Sequence, residues 1–109
     1  MKVVRVQYTV QPGYAGQNKE NVAAVMRELH ASHRDGVRYA VYLKDDGKTF
    51  MHLGHFKSAD DESVLTSLDA FIRFRTQLKE NLETAPKVET FVLAHASWTI
   101  FDGPADAGS

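Results

Sequence analysis

The sequence predicts an α+β domain: a ferredoxin-like βαββαβ chain whose four-stranded antiparallel sheet carries two helices on one face. Three observations carry this prediction. Val4, Val6, Tyr8 and Val10 alternate with Arg5, Gln7 and Thr9, which is the period of a strand. Val22, Val25, Met26 and Leu29 recur at helical spacing, as do Val64, Leu65, Leu68, Phe71 and Ile72 further on. Between the two helical stretches, two apolar runs flank Asp45-Asp46-Gly47, a hairpin signal.

The elements follow in order. Pro12-Gly13 ends the first strand. The first helix starts near Asn18, a side chain suited to the N-cap, and stops before Gly36, suited to the C′ position. The hairpin strands are Val37 to Leu43 and Thr49 to Phe56. Ser58 and Asp61 have capping-box spacing ahead of the second helix, with Asp in place of the usual Glu or Gln. That helix runs through Leu78 and Leu82 with room for one break, and Ala85-Pro86 stops it. Val88 to Trp98 makes the last strand. Residues 1–101 are expected to form one domain, and residues 102–109, small and polar, a flexible C-terminal tail.

Composition narrows the class. The chain of 109 residues is 43% hydrophobic, enough for a core without staples. It has no cysteine, which excludes disulfides, thiolate metal sites and thiol catalysis. Thirteen basic and fourteen acidic residues nearly cancel, so no nucleic-acid partner is expected. No apolar run approaches a signal peptide or a membrane span, so the expected location is the cytoplasm, with no membrane partner.

Two helices cover one face of a sheet, and the second face needs its own account. The last strand is apolar on both sides: Val92, Ala94, Ala96 and Trp98 on one, Phe91, Leu93 and His95 on the other. Strands apolar on both faces are buried on both. A chain of this length holds no third layer, so a second copy is the expected cover, with Trp98 to Phe101 reaching across the seam. Arg5, Gln7 and Thr9 weigh against this, since they place polar atoms mid-sheet.

His52 is the candidate catalytic residue. It sits among Phe50, Met51 and Leu53, and imidazole is the side chain suited to proton transfer near neutral pH. The competing reading is a core His satisfied by a backbone group or a Tyr hydroxyl. Register decides its face. A two-residue Asp46-Gly47 turn pairs Val41 with His52 and keeps Phe50, His52 and Phe56 with the apolar set Tyr39, Val41 and Leu43. A three-residue turn with a bulge pairs Ala40 with His52 and turns His55 to that face instead. The first register is the one expected. Tyr8 and Tyr39 have apolar rings with one polar handle, able to orient a ligand carbonyl or simply to pack. With Phe56 and Phe71 they form the candidate ligand-binding set. His30 and His33 can reach one ion, yet no third ligand is near, and His52 and His55 point to opposite faces. No metal or other cofactor is expected.

The layout resembles the dimeric α/β-barrel superfamily, in particular the antibiotic-biosynthesis monooxygenase-like domains. The resemblance runs from Val3 to Trp98. It lies in Gly36-Val37-Arg38-Tyr39-Ala40-Val41-Tyr42, the Asp46-Gly47 hairpin, and Phe50-Met51-His52 leading into Asp60-Asp61-Glu62 and a helix with Phe71 and Phe74. It implies a homodimer that packs two sheets face to face, with a small organic ligand held between sheet and helices. The activities it brings with it are cofactor-free oxygenation, haem breakdown and isomerisation. Active members often carry Glu-x-Trp at the end of the third strand, where this chain has Gly54 and Phe56. Several carry a His in the next helix, where this chain has Ser67, so haem breakdown is not expected. Two functions stay open: a non-catalytic or small-ligand-binding homodimer, and a cofactor-free monooxygenase-like or isomerase-like enzyme acting on a small organic substrate, aromatic ones included. Cavity size separates them: a closed apolar space below about 100 Å³ favours the non-catalytic homodimer, since ligand pockets usually run to about 300–1,000 Å³.

Overall fold

The structure is a computed structural model and describes residues 1–101. The expected tail, 102–109, lies outside the described residues. The strands are β1 (Lys2–Val10), β2 (Val37–Leu43), β3 (Thr49–Phe56) and β4 (Leu82–Phe91), and the helices α1 (Ala15–Ala31), α2 (Ala59–Ser67) and α3 (Asp69–Leu78). A 3₁₀ turn, Pro12–Tyr14, leads into α1. The sheet is antiparallel in the order β2-β3-β1-β4. The ferredoxin-like α+β fold is therefore present, with the second helix divided in two.

That division falls at Leu68, which leaves helical backbone at ψ 138°. No side chain of its own segment caps α3. Glu28 of α1 does so instead, its Oε1 accepting from Ala70 N at 3.2 Å. Asn21 of α1 donates to Gln77 Oε1 of α3 at 2.8 Å, so the two helices are joined at both ends of their contact. At α2, Ser58 is the N-cap: its Oγ accepts from Asp61 N and donates to Asp61 Oδ2 at 2.7 Å. Arg34 Nε reaches the same carboxylate at 2.6 Å, and Gly36 lets the chain pass beside it. A Cβ on Gly36 would stand 2.3 Å from Asp61 Oδ2.

Four boundaries differ from the sequence reading. Asn18 is not the N-cap; it lies inside α1 and is fully buried. The residue with positive φ after α1 is His33, at 53°, not Gly36. The last helix ends at Leu78, not at Ala85-Pro86, and Leu82 already opens β4 opposite Val10. The last strand is Leu82–Phe91 rather than Val88 to Trp98. Pro86 misleads because a proline normally stops regular structure. β4 is an edge strand, and its register against β1 shifts between Gln7↔Lys87 and Thr9↔Thr84, an irregularity that takes in Pro86.

The core lies between sheet and helices, around Tyr8, Val10, Val25, Phe50, Phe56, Leu65, Phe74 and Leu78. On the other face, Arg5 bonds Glu89 at 2.6 Å and Gln7 at 2.5 Å, and Thr9 meets Thr49 at 2.9 Å. The mid-sheet polar atoms thus satisfy one another. The chain supplies part of the cover that a second copy was expected to provide. Residues 98–101 lie beside the outer side of β2 and β3, Phe101 is 1% exposed, and the Arg38 guanidinium lies 5.4 Å from its ring centre. His95, expected in the last strand, is exposed and outside it. Among the described residues no helix is long and apolar enough to cross a membrane.

Candidate functional site

The hairpin has the expected register, Val41 opposite His52, although its loop is longer. Lys44 N donates to Thr49 O at 2.8 Å, so the loop is Asp45 to Lys48, with Gly47 at φ 75°. Closing the ladder two residues before Asp46-Gly47 leaves the parity of the strands unchanged. Asp46 holds the loop. Its carboxylate accepts from Thr49 Oγ1 at 2.6 Å and from the Lys48 and Thr49 amides, which lower its pKa to about 2.

This register turns His52 to the helix side in a row with Val41 of β2 and Val6 of β1. Its ring is 5% exposed and packs 5.3 Å from the ring of Phe74. Both ring nitrogens are engaged by tyrosines. Nε2 meets the Tyr8 hydroxyl at 2.7 Å, and Nδ1 meets the Tyr39 hydroxyl in a short contact. Asn18 Nδ2 donates to the Tyr8 oxygen at 2.8 Å. Burial lowers the His52 pKa to about 4, so the imidazole is neutral at pH 7. Burial raises both Tyr8 and Tyr39 well above the ordinary phenol value. The group is a neutral chain of four polar side chains in an apolar layer.

A cavity of about 290 Å³ opens beside this chain, between the sheet and helices α2 and α3. His52, Tyr8, Tyr39, Phe56 and Phe71 all border it. Its walls are mostly apolar, and Glu62, Thr66 and Arg75 bring polar atoms to it. Glu62 is paired with Lys2 at 3.0 Å, and the Arg75 guanidinium stands 5.8 Å from the ring centre of Phe71. Gly54 matters to its shape, because a Cβ there would lie 2.8 Å from the Phe56 ring. The cavity reaches β4 at Pro86 and Val88, and Val88 is 63% exposed.

The other histidines do not join the site. His55 is half-buried on the opposite sheet face, and burial lowers its pKa. His30 and His33 sit exposed at the end of α1, their ring centres 6.5 Å apart. Among the described residues no three His, Asp or Glu side chains are grouped to hold a metal ion. Sequence reasoning misses two site residues. Asn18 reads as a cap, yet it precedes Val22 and Val25 by four and seven residues and so lies on the apolar stripe. Gly54 stands out only as a departure from the Glu-x-Trp pattern, and its role depends on a ring two residues away.

An antiparallel β2-β3-β1-β4 sheet with its helices on one side defines a class of fold, that of the antibiotic-biosynthesis monooxygenase-like domains. Three solved structures make the likeness specific. Rv0793 from Mycobacterium tuberculosis superposes with a TM-score of 0.74 at 16% identity, over 89% of this chain and 98% of its own. A candidate antibiotic biosynthesis monooxygenase from Nitrosomonas europaea gives 0.76 at 15% identity, over 87% and 100%. SnoaB, a cofactor-independent oxygenase from Streptomyces nogalater whose structure is that of a point mutant, gives 0.66 at 14% identity, over 88% and 96%. Identities this low establish a shared fold. No family model matches the sequence, and no curated protein matches it.

Proposed function

We propose that this chain is a homodimer that binds a small, largely apolar organic molecule in the cavity between sheet and helices. The observation that carries this reading is the cavity of about 290 Å³ with the Tyr8–His52–Tyr39 chain on its wall. A collapsed core would leave no such space, and this volume lies just under the usual ligand-pocket range of about 300–1,000 Å³. Apolar walls supply affinity, and a few polar atoms at one place orient the guest. His52, Tyr8, Tyr39, Phe56 and Phe71 are the proposed contact residues.

Dimerisation draws its support from exposed apolar side chains on and after β4: Val88, Phe91 and Val92 are 63%, 44% and 84% exposed, and Trp98 is 70% exposed. β4 also presents an unpaired edge. A biological interface there should bury more than about 1,000 Å² in total. Sedimentation equilibrium at micromolar concentration should return a dimer, and a clean monomer would remove this part of the reading. For the pocket, calorimetric titration with small bicyclic aromatics should show one site per chain. Loss of that binding in Leu65→Trp, which fills the cavity, is the expected control.

A second reading, a cofactor-free oxygenase or isomerase, draws on the neutral imidazole in a dry pocket and on the name of SnoaB among the fold neighbours. A pKa of about 4 makes His52 a weak base, far from the operating pH that favours proton transfer. The binding reading is therefore preferred. Dioxygen uptake with an added phenolic substrate, abolished by His52→Gln, would reverse that preference.

A further inference from the structure

The hydrogens in the Asn18–Tyr8–His52–Tyr39 chain can be counted, and the count has a direction. Tyr8 is 1% exposed, and its oxygen meets two polar partners, Asn18 at 2.8 Å and His52 at 2.7 Å. The Asn18 amide nitrogen donates to it and accepts nothing. The Tyr8 hydrogen must then go to His52 Nε2. A neutral imidazole has one N–H, so the proton of His52 is on Nδ1, and Nδ1–H donates to the Tyr39 oxygen. The hydrogen of Tyr39 is left over. Among the described residues the Tyr39 oxygen has no other polar partner, and Tyr39 borders the cavity.

The orientation of Asn18 underlies this count, and burial supports it. Asn18 is 0% exposed, and its Oδ1 has no partner among the described residues. Turning the amide over would leave both N–H donors without a partner, where now one carbonyl and one N–H have none. Orphaned buried N–H groups are rarer than under-satisfied carbonyls, so the arrangement with one unpaired N–H is preferred to the one with two.

We infer that Asn18 sets the direction of the chain so that the Tyr39 hydroxyl donates into the cavity, and that the cavity selects a ligand presenting a hydrogen-bond acceptor, such as a ketone, over one presenting a donor. This rests on the ligand-binding reading. Tyr39 is the specificity-determining contact. Asn18, which does not border the cavity, is a positioning residue acting through Tyr8 and His52.

The direction is tested without ligand by ¹⁵N shifts of His52 in the wild-type protein at pH 7.5. The expected result is a protonated Nδ1 and a bare Nε2; a proton on Nε2 overturns the inference whatever the pocket binds. The selection is tested with two bicyclic probes of similar size, 1-indanone (acceptor only) and indole (donor only). Wild type should bind 1-indanone about fivefold tighter, the scale of one net hydrogen bond. Tyr39→Phe should abolish the preference, and a preference surviving that change overturns the inference. Asn18→Asp should reverse the chain once its carboxyl ionises, because a carboxylate only accepts; burial raises that pKa, so the two probes are compared over a pH series rising to 9.5. His52 then carries its proton on Nε2, Tyr39 points its hydrogen at Nδ1, and indole becomes the tighter probe. If Asn18→Asp does not fold, the wild-type shifts and Tyr39→Phe still decide the matter. Failure of both probes to bind wild type at millimolar concentration overturns the ligand-binding reading and the selection with it. The ¹⁵N result stands apart and shows which of the two ideas has failed.

Discussion

Gly54 and Phe56 share the cavity side of β3, and the ring of Phe56 occupies the space that a Cβ on Gly54 would need: the separation would be 2.8 Å, against 3.5 Å to Cδ1 of Tyr39. Phe56 is 3% exposed, so its ring can retreat only into the cavity that it borders. Gly54→Ala should therefore displace the Phe56 ring and lower stability by about 1–3 kcal/mol, the usual scale for overpacking. Chemical denaturation measures this. An unchanged midpoint would show that the ring has free space behind it.

His52 titrates differently in the folded and unfolded chain. Its folded pKa is about 4 against an ordinary value of 6.5. Between these values the unfolded state binds more protons, so stability falls as pH drops from about 6.5 to about 4. Above 6.5 the contribution is fully present. The fall should approach about 3 kcal/mol, since each pKa unit corresponds to about 1.4 kcal/mol. His55, whose pKa is also lowered by burial, adds a loss of the same sign in this region. The His52 share is read from the difference between wild type and His52→Gln across this pH window. Parallel stability–pH curves for the two proteins would mean that His52 is solvated in the native state.

The three-way contact of Gly36, Asp61 and Arg34 predicts a coupled pair of variants. Gly36→Ala should lower stability by about 1–3 kcal/mol by crowding a carboxylate held by Ser58 and Arg34. Asp61→Ala should also destabilise, because it removes those bonds. The double variant should lose less than the sum of the two, because without the carboxylate there is nothing for the new methyl to strike. Strict additivity in a double-mutant cycle would defeat this account.

Ser58→Ala removes the α2 cap and should cost about 1 kcal/mol. It also frees Asp61 from one of the hydrogen bonds that lower its pKa; the Arg34 contact and the interaction with its charge remain. Asp61 has a depressed folded pKa, so its stabilisation is present above about 3.9 and is lost as pH falls below that. The variant should show a shallower acid limb in that range, read by far-UV circular dichroism. An unchanged limb would mean that the remaining contacts alone hold the carboxylate ionised.

Oligomerisation should respond to β4 and the residue after it. Phe91→Lys with Val92→Lys places two charges on a surface now exposed and apolar. If these side chains meet a second copy, sedimentation should shift toward monomer with the melting of dilute samples unchanged. A dimer that persists would place the interface elsewhere.

Periodicity decided much of this protein before any coordinates. Alternation from Val4 to Val10 and helical spacing from Val22 to Leu29 arise because burial on one face demands apolar side chains at a fixed repeat, and that demand is local. The His52 face was legible for the same reason: pairing Val41 with His52 groups Phe50, His52 and Phe56 with the apolar set of β2. What was local but ambiguous went astray. Pro86 reads as a stop, yet on an edge strand it sits at an irregularity of the register, and only the strand order shows which strand is the edge. Asn18 reads as a cap because an amide at a helix start usually is one; that it reaches Tyr8 depends on a contact across ten residues and two elements. The return of residues 98–101 to β2 and β3 has no periodic signal at all. Patterns of burial are written along the chain, whereas hydrogen-bond partners and the volume left between packed elements exist only once distant segments meet. The Tyr8–His52–Tyr39 chain and its cavity are of that second kind.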